Sequence, residues 1–170
     1  HQQFADTDAI FGDLQRWAPT GEYTLGPYVE AFEKKFAAYL GVKHAIGTNT
    51  GTDALILSLK AVGVAPGDEV ITAPNTFTAT VGAIVAAGAR PVFVDSDERY
   101  QIDVTKIEAA ITPKTRAIVP VHWAGASPDM DEVLKIAGAR GIPVVEDACP
   151  AVGATWRGRP AGTFGKVSAF

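Results

Sequence analysis

Four short runs of this chain, Glu69 to Thr72, Arg90 to Val94, Arg116 to Val121 and Pro143 to Glu146, have apolar centres with almost no polar alternation. A strand with one wet face alternates, so these runs belong to a sheet covered on both faces, and such sheets are largely parallel. Parallel neighbours need a crossover, usually a helix. The intervening stretches supply one each time: Ala54 to Val62, Thr76 to Ala87, Val104 to Ala110 and Met130 to Arg140. The expected fold class is α/β, a three-layer αβα arrangement around a mostly parallel, doubly wound sheet. A further short strand is expected from His44 to Gly47, and Val167-Ser168-Ala169-Phe170 reads as the start of another.

Local signals fix where several helices begin and end. Val29, Phe32, Phe36 and Leu40 recur at helical spacing, and the pattern stops at Gly41, a helix terminator. Thr50 and Asp53 stand at capping-box spacing ahead of an apolar helix, and Ser127-Pro128-Asp129 marks the start of another. Residues 1–25, with Trp17-Ala18-Pro19-Thr20-Gly21, read as a helix and loop outside the sheet; residues 26–170 form the layered body.

With 170 residues, 47% of them hydrophobic, the chain has material for one sizeable core. A net charge of −4 with scattered basic residues gives no field for nucleic acid, which is excluded as an expected partner. Cys149 is the single cysteine, so no internal disulfide framework exists, in keeping with a reducing cytosol. No run of about 18 apolar residues suggests a membrane span and no secretion signal opens the chain, so the expected location is the cytoplasm. The chain starts at His1 and stops inside a strand pattern, which leads us to expect a piece of a longer protein.

Ligands of open α/β sheets bind at the carboxyl ends of the strands. There the run Ile142-Pro143-Val144-Val145 passes into Glu146-Asp147-Ala148. A carboxylate at such a site is costly unless a cation meets it, and a protonated pyridine nitrogen would. Asp147 opposite that nitrogen would keep it protonated and the ring able to accept electrons. The alternative is a carboxylate that caps the next turn or pairs with Arg157 or Arg159. Thr50-Gly51-Thr52 offers successive backbone N–H groups, two hydroxyls and a helix dipole, the elements of a phosphate site; a capped helix without ligand needs the same residues. No G-x-G-x-x-G and no Gly-Lys-Ser/Thr ending is present, which disfavours nicotinamide and P-loop sites.

Phe77, in Pro74-Asn75-Thr76-Phe77, falls at the ligand edge, where it could stack on a planar ring or anchor the next helix in the core. Asn75 and Thr76 read as helix N-caps. His122 ends its strand, as a group that orients a cofactor or as a satisfied structural histidine. Asp95, Asp97 and Asp103 are given no role, and no metal site is expected.

These motifs occur together. Gly47-Thr48-Asn49-Thr50-Gly51-Thr52-Asp53-Ala54-Leu55, Gly67-Asp68-Glu69-Val70-Ile71, Pro74-Asn75-Thr76-Phe77, Pro91-Val92-Phe93-Val94-Asp95, Pro120-Val121-His122 and Glu146-Asp147-Ala148 through Gly153-Ala154 follow one another in the order of the DegT/DnrJ/EryC1/StrS sugar aminotransferases, which the chain resembles from Tyr23 onward. The resemblance implies the fold-type-I large domain of pyridoxal-phosphate enzymes. It would be present here as its N-terminal part, cut before the Schiff-base lysine and the small domain. It further implies a homodimeric transaminase that uses pyridoxal 5′-phosphate and moves an amino group, usually from glutamate, onto a nucleotide-linked keto-sugar. Thr50, Gly51 and Thr52 would hold the cofactor phosphate, Phe77 would stack on its ring, Asp147 would meet its nitrogen, and His122 is a second-tier contact. A sugar dehydratase of the same fold and a non-catalytic cofactor-binding homologue are the competing readings. Two departures stand out: Pro150 where the family carries Gln or His, and the absence of the lysine, which falls past Phe170. Lys166 precedes the last strand and reads as an exposed turn residue.

Overall fold

The computed structural model describes residues 6–170, which divide into two compact units with the boundary between Gly47 and Thr48. In the first unit, helix α1 (Thr7–Trp17) is followed by a 3₁₀ turn, Ala18–Thr20, and helix α2 (Pro27–Leu40). Gly41 ends α2 in the left-handed conformation, as its position in the sequence requires. Residues 44–47 do not form the expected strand: Ile46 is exposed, and the Gly47 amide is satisfied by Glu33 Oε1 at 2.6 Å rather than by a ladder. A strand exists only with a neighbour, and among the described residues none pairs there.

The second unit opens with helix α3 (Gly51–Ala61), then strand β1 (Glu69–Thr72), helix α4 (Thr78–Ala86), strand β2 (Arg90–Phe93), helix α5 (Val104–Ala110) and strand β3 (Thr115–Val119). Helix α6 (Met130–Ala139) and strand β4 (Val145–Asp147) follow, then a small antiparallel pair, β5 (Thr155–Trp156) with β6 (Arg159–Pro160), and strand β7 (Val167–Ala169). β1 lies between β2 and β3, all parallel, with Val70 opposite Pro91 and Ala117. β4 pairs in parallel with β7, Asp147 opposite Ala169. Parallel bridges Ile118–Val144 and Val121–Asp147 carry the sheet across from β3 to β4. The sequence-derived α/β sandwich is therefore the observed one. Boundaries moved by one to three residues: the helix after Pro74 starts later, with Phe77 rather than Asn75 or Thr76 at its N-cap position.

Side chains alternate across each strand, and here the period of two sorts the core into halves. Val70, Ala117, Val119 and Val145 join Leu55 and Leu59 of α3 and Ile84 of α4. Ile71, Ile118 and Val144 pack instead with Ile107 of α5 and Met130 and Val133 of α6. That is why β1 and the second half of β3 show no polar alternation: both of their faces are dry, whereas β2 at the edge of its sheet leaves Phe93 exposed. Each fully buried Leu or Ile contributes roughly 1.5–3 kcal/mol of transfer free energy. Ile118, fully buried at the centre of the sheet, is a strict test. Ile118→Ala should lower unfolding free energy by about 2–5 kcal/mol in urea titration, whereas Leu57→Ala on the exposed face of α3 should stay within about 0.5 kcal/mol of wild type.

Candidate active site

The carboxyl ends of β1, β3, β4 and β7 and the first turns of α3 and α4 form one edge of the second unit. Thr50 caps α3: its Oγ1 accepts from the Asp53 amide at 3.0 Å and donates to Asp53 Oδ2 at 3.0 Å, as the capping-box spacing requires. The amides of Gly51 and Thr52 stand in the first turn, where a helix offers no internal acceptor. Gly51 has a further reason to lack a side chain. A Cβ there would lie 3.0 Å from Cys149 Sγ, so the helix start is packed against the segment that follows β4.

Alternation along β4 separates its two carboxylates. Glu146 follows Val144 to the α5/α6 face, and Asp147 follows Val145 to the α3/α4 face. Asp147 is buried at 4% exposure, and its Oδ2 accepts from Thr80 Oγ1 at 2.7 Å. Its Oδ1 caps the next turn through the Cys149 amide, at a long 3.3 Å. Neither candidate arginine reaches it: Arg157 pairs with Asp131 at 2.7 Å, and Arg159 bonds Thr163 and lies over the Phe164 ring. A buried carboxylate thus faces the ligand edge without a cation among the described residues.

Glu146 is fully buried and accepts four hydrogen bonds, from the amides of Gly162 (2.8 Å), Phe164 (2.6 Å) and Gly165 (2.5 Å) and from His122 Nε2 (2.8 Å). A carboxylate only accepts, so His122 donates through Nε2; its Nδ1 meets Ser127 Oγ at 2.9 Å. His122 has even parity with Ile118 and takes Glu146's side of the sheet, fully buried with both ring nitrogens engaged. This is the structural-histidine alternative in its full form. Sequence reasoning passed over Glu146 because it treated the acids as one pair; counting parity from the apolar residues of the strand would have separated them.

Phe77 is 69% exposed, which removes the core alternative for it. Asn75 donates to the Tyr100 carbonyl, and Thr76 Oγ1 lies 2.7 Å from Thr80 Oγ1. Asp97 and Asp103 are spent on local turns, Asp97 on the Arg99 and Gln101 amides and Asp103 on the Thr105 amide. Lys166 is exposed at the opposite edge of the sheet, beside an apolar hollow of about 410 Å³ lined by Val62, Ile142 and Pro143, which fits the turn role read for it. Cys149 is exposed as a residue, but its sulfur packs inward. Burial, then the charge of Asp147 and a hydrogen bond to it, push the thiol up to about 12.

Residues 5–170 match the DegT/DnrJ/EryC1/StrS aminotransferase family, and the chain belongs to it. It is 51% identical over 152 residues to the spore coat polysaccharide biosynthesis protein SpsC of Bacillus subtilis, covering 89% of this chain and 39% of that one. It is 46% identical over 167 residues to the dTDP-3-amino-3,4,6-trideoxy-alpha-D-glucose transaminase of Streptomyces venezuelae, covering 98% of this chain and 43% of the relative. Among solved structures, NtdA from Bacillus subtilis with bound cofactor PMP superimposes with a TM-score of 0.87 at 43% identity, over 92% of this chain and 36% of that one. The chain therefore spans about two fifths of the length of the curated relatives it matches. No helix among the described residues is long and apolar enough to cross a membrane.

Two outcomes follow from this geometry. Glu146→Gln presents an amide NH₂ to donors that need an acceptor, and should cost about 2–4 kcal/mol in urea titration, with faster hydrogen exchange at 162–165. With its thiol held protonated, Cys149 should react with iodoacetamide at pH 8 about a hundredfold or more slowly than glutathione, the rate rising as pH approaches 12.

Proposed function

We propose that this chain is the N-terminal part of the large domain of a pyridoxal-phosphate-dependent aminotransferase acting on a nucleotide-linked keto-sugar, with glutamate as amino donor. The observation that carries the reading is Asp147, a buried carboxylate that looks onto the ligand edge with no protein cation against it. The donor set around it suits the cofactor: an open helix start at Gly51 and Thr52 for a phosphate, an exposed aromatic at Phe77 for a flat ring, and a carboxylate for a pyridine nitrogen.

Pyridoxal 5′-phosphate, when bound, supplies the electron sink that amino-group transfer needs. The residues of this chain bind and orient it. Thr50, Gly51 and Thr52 would hold the phosphate at the positive end of the α3 dipole, Gly51 and Thr52 through their amides and the Thr52 hydroxyl, Thr50 by capping the helix start through Asp53. Phe77 covers a face of the ring and excludes water from it. Asp147 holds a proton at the ring nitrogen. His122, tied to Glu146 and Ser127, acts through the framework and not by touching the cofactor. The Schiff-base lysine would be supplied past Phe170, and Pro150, which has no amide hydrogen, leaves the cofactor's phenolic oxygen to another donor. The assembled enzyme is a cytoplasmic homodimer in this reading, which the family resemblance supports.

In the full-length protein, Asp147→Ala should lower transamination by about a thousandfold or more, because the electron sink is lost with the ring proton. Single-turnover rates with glutamate check this, and wild-type turnover in the variant would refute the assignment.

A further inference from the structure

The Asp147 carboxylate does not stand alone on its face of the sheet. Thr80 Oγ1, on the first turn of α4 and 1% exposed, is 2.7 Å from Asp147 Oδ2. The carboxylate can only accept, so the Thr80 hydroxyl hydrogen is committed to it. Thr76 Oγ1 lies 2.7 Å from Thr80 Oγ1, and either could donate were the pair isolated. With the Thr80 hydrogen already spent, Thr76 must be the donor. The direction of the chain is thereby fixed: Thr76 to Thr80 to Asp147.

We propose that Thr80, backed by Thr76, is a positioning residue that keeps the shared proton on the cofactor's ring nitrogen and off Asp147. This inference rests on the reading that Asp147 faces that nitrogen. In a hydrogen-bonded acid–base pair the proton resides on the stronger base. A donor on the carboxylate favours its negative form and makes it the weaker base, and donors in series strengthen one another in a low-dielectric site. Thr80 also fixes the rotation of the carboxylate, leaving the remaining lone pairs for the ring. Other groups around Asp147 do not compete. From β3 and β7 it meets backbone, with the His122 amide donating to its carbonyl and Ala169 as its ladder partner. Glu146 is turned to the opposite face and fully occupied. Its titratable neighbour is the Cys149 thiol, held neutral at working pH.

The test uses pyridoxamine 5′-phosphate labelled with ¹⁵N at the ring nitrogen, bound to the full-length protein at neutral pH, so that no Schiff base and no turnover is involved. Wild type should give the resonance of a protonated ring. In Thr80→Val, nearly isosteric and lacking the hydroxyl, the proton equilibrium should move toward the carboxylate by about tenfold, and the resonance toward the unprotonated position. Thr80→Ser should restore it, and Thr76→Val, at a partly exposed position, should move it the same way by less. A Thr80→Val resonance equal to wild type, beside a displaced one in Asp147→Asn, would overturn the role of Thr80 alone. An unchanged resonance in Asp147→Asn would instead overturn the placement of Asp147, and the inference with it. Should Thr80→Val fail to fold, an unmoved Thr76→Val would refute the relay.

Discussion

Strand β4 is only three residues long, yet both faces of the second unit's carboxyl edge are registered to it. It is hydrogen-bonded to β7 on one side and bridged to β3 on the other, so its backbone has no freedom to twist. Within that fixed backbone, two adjacent acids are forced onto opposite faces. One becomes an internal anchor with four donors, and the other becomes a ligand-facing group with two. The distinction is geometric before it is chemical. A shift of pairing by one residue would exchange their surroundings and set a charge among the aliphatic side chains of α3 and α4.

The anchor and the ligand group support each other. By gathering the amides of Gly162, Phe164 and Gly165, Glu146 draws the loop after β6 against β4 and delivers β7 into its place. β7 in turn gives the Ala148 amide its acceptor, the Ala169 carbonyl, and so steadies the chain just past Asp147. His122 and Ser127 extend the same network into the loop after β3. On the other face, Thr80 and the inward-packed Cys149 sulfur tie α4 and the start of α3 to Asp147 and its turn. The carboxyl edge of the sheet is thereby built from five segments far apart in sequence.

Much of this was legible before any coordinates. Unalternating apolar runs identified a covered parallel sheet, Glu69–Thr72 and Val104–Ala110 were delimited to the residue, and the caps at Thr50 and Asp129 follow from side-chain chemistry that acts within three positions. Asp147 stands out in the sequence because a charge at the end of a dry strand demands a partner. What stayed hidden depends on distant neighbours. Whether 44–47 joins a ladder depends on another strand, which its own residues cannot disclose. Three of the four partners of Glu146 lie sixteen to nineteen residues further on and are backbone amides, which carry no sequence signal. The close approach of the Cys149 sulfur to Gly51, a contact between segments almost a hundred residues apart, likewise leaves no local trace.

The two glycines of that loop have an evolutionary consequence. A Cβ at Gly165 would fall 2.5 Å from the Val144 carbonyl oxygen, and one at Gly162, where φ is +81°, would clash with the tip of the Phe170 ring. The first obstacle is sheet backbone and cannot give way, and at the second the left-handed φ adds strain to any side chain. Drift is therefore blocked by backbone sterics at Gly165 and by backbone conformation at Gly162, independently of what happens on the other face of β4. An acid followed at intervals of sixteen and nineteen by glycine should persist as a fossil of the scaffold, outlasting the specificity it was recruited to serve.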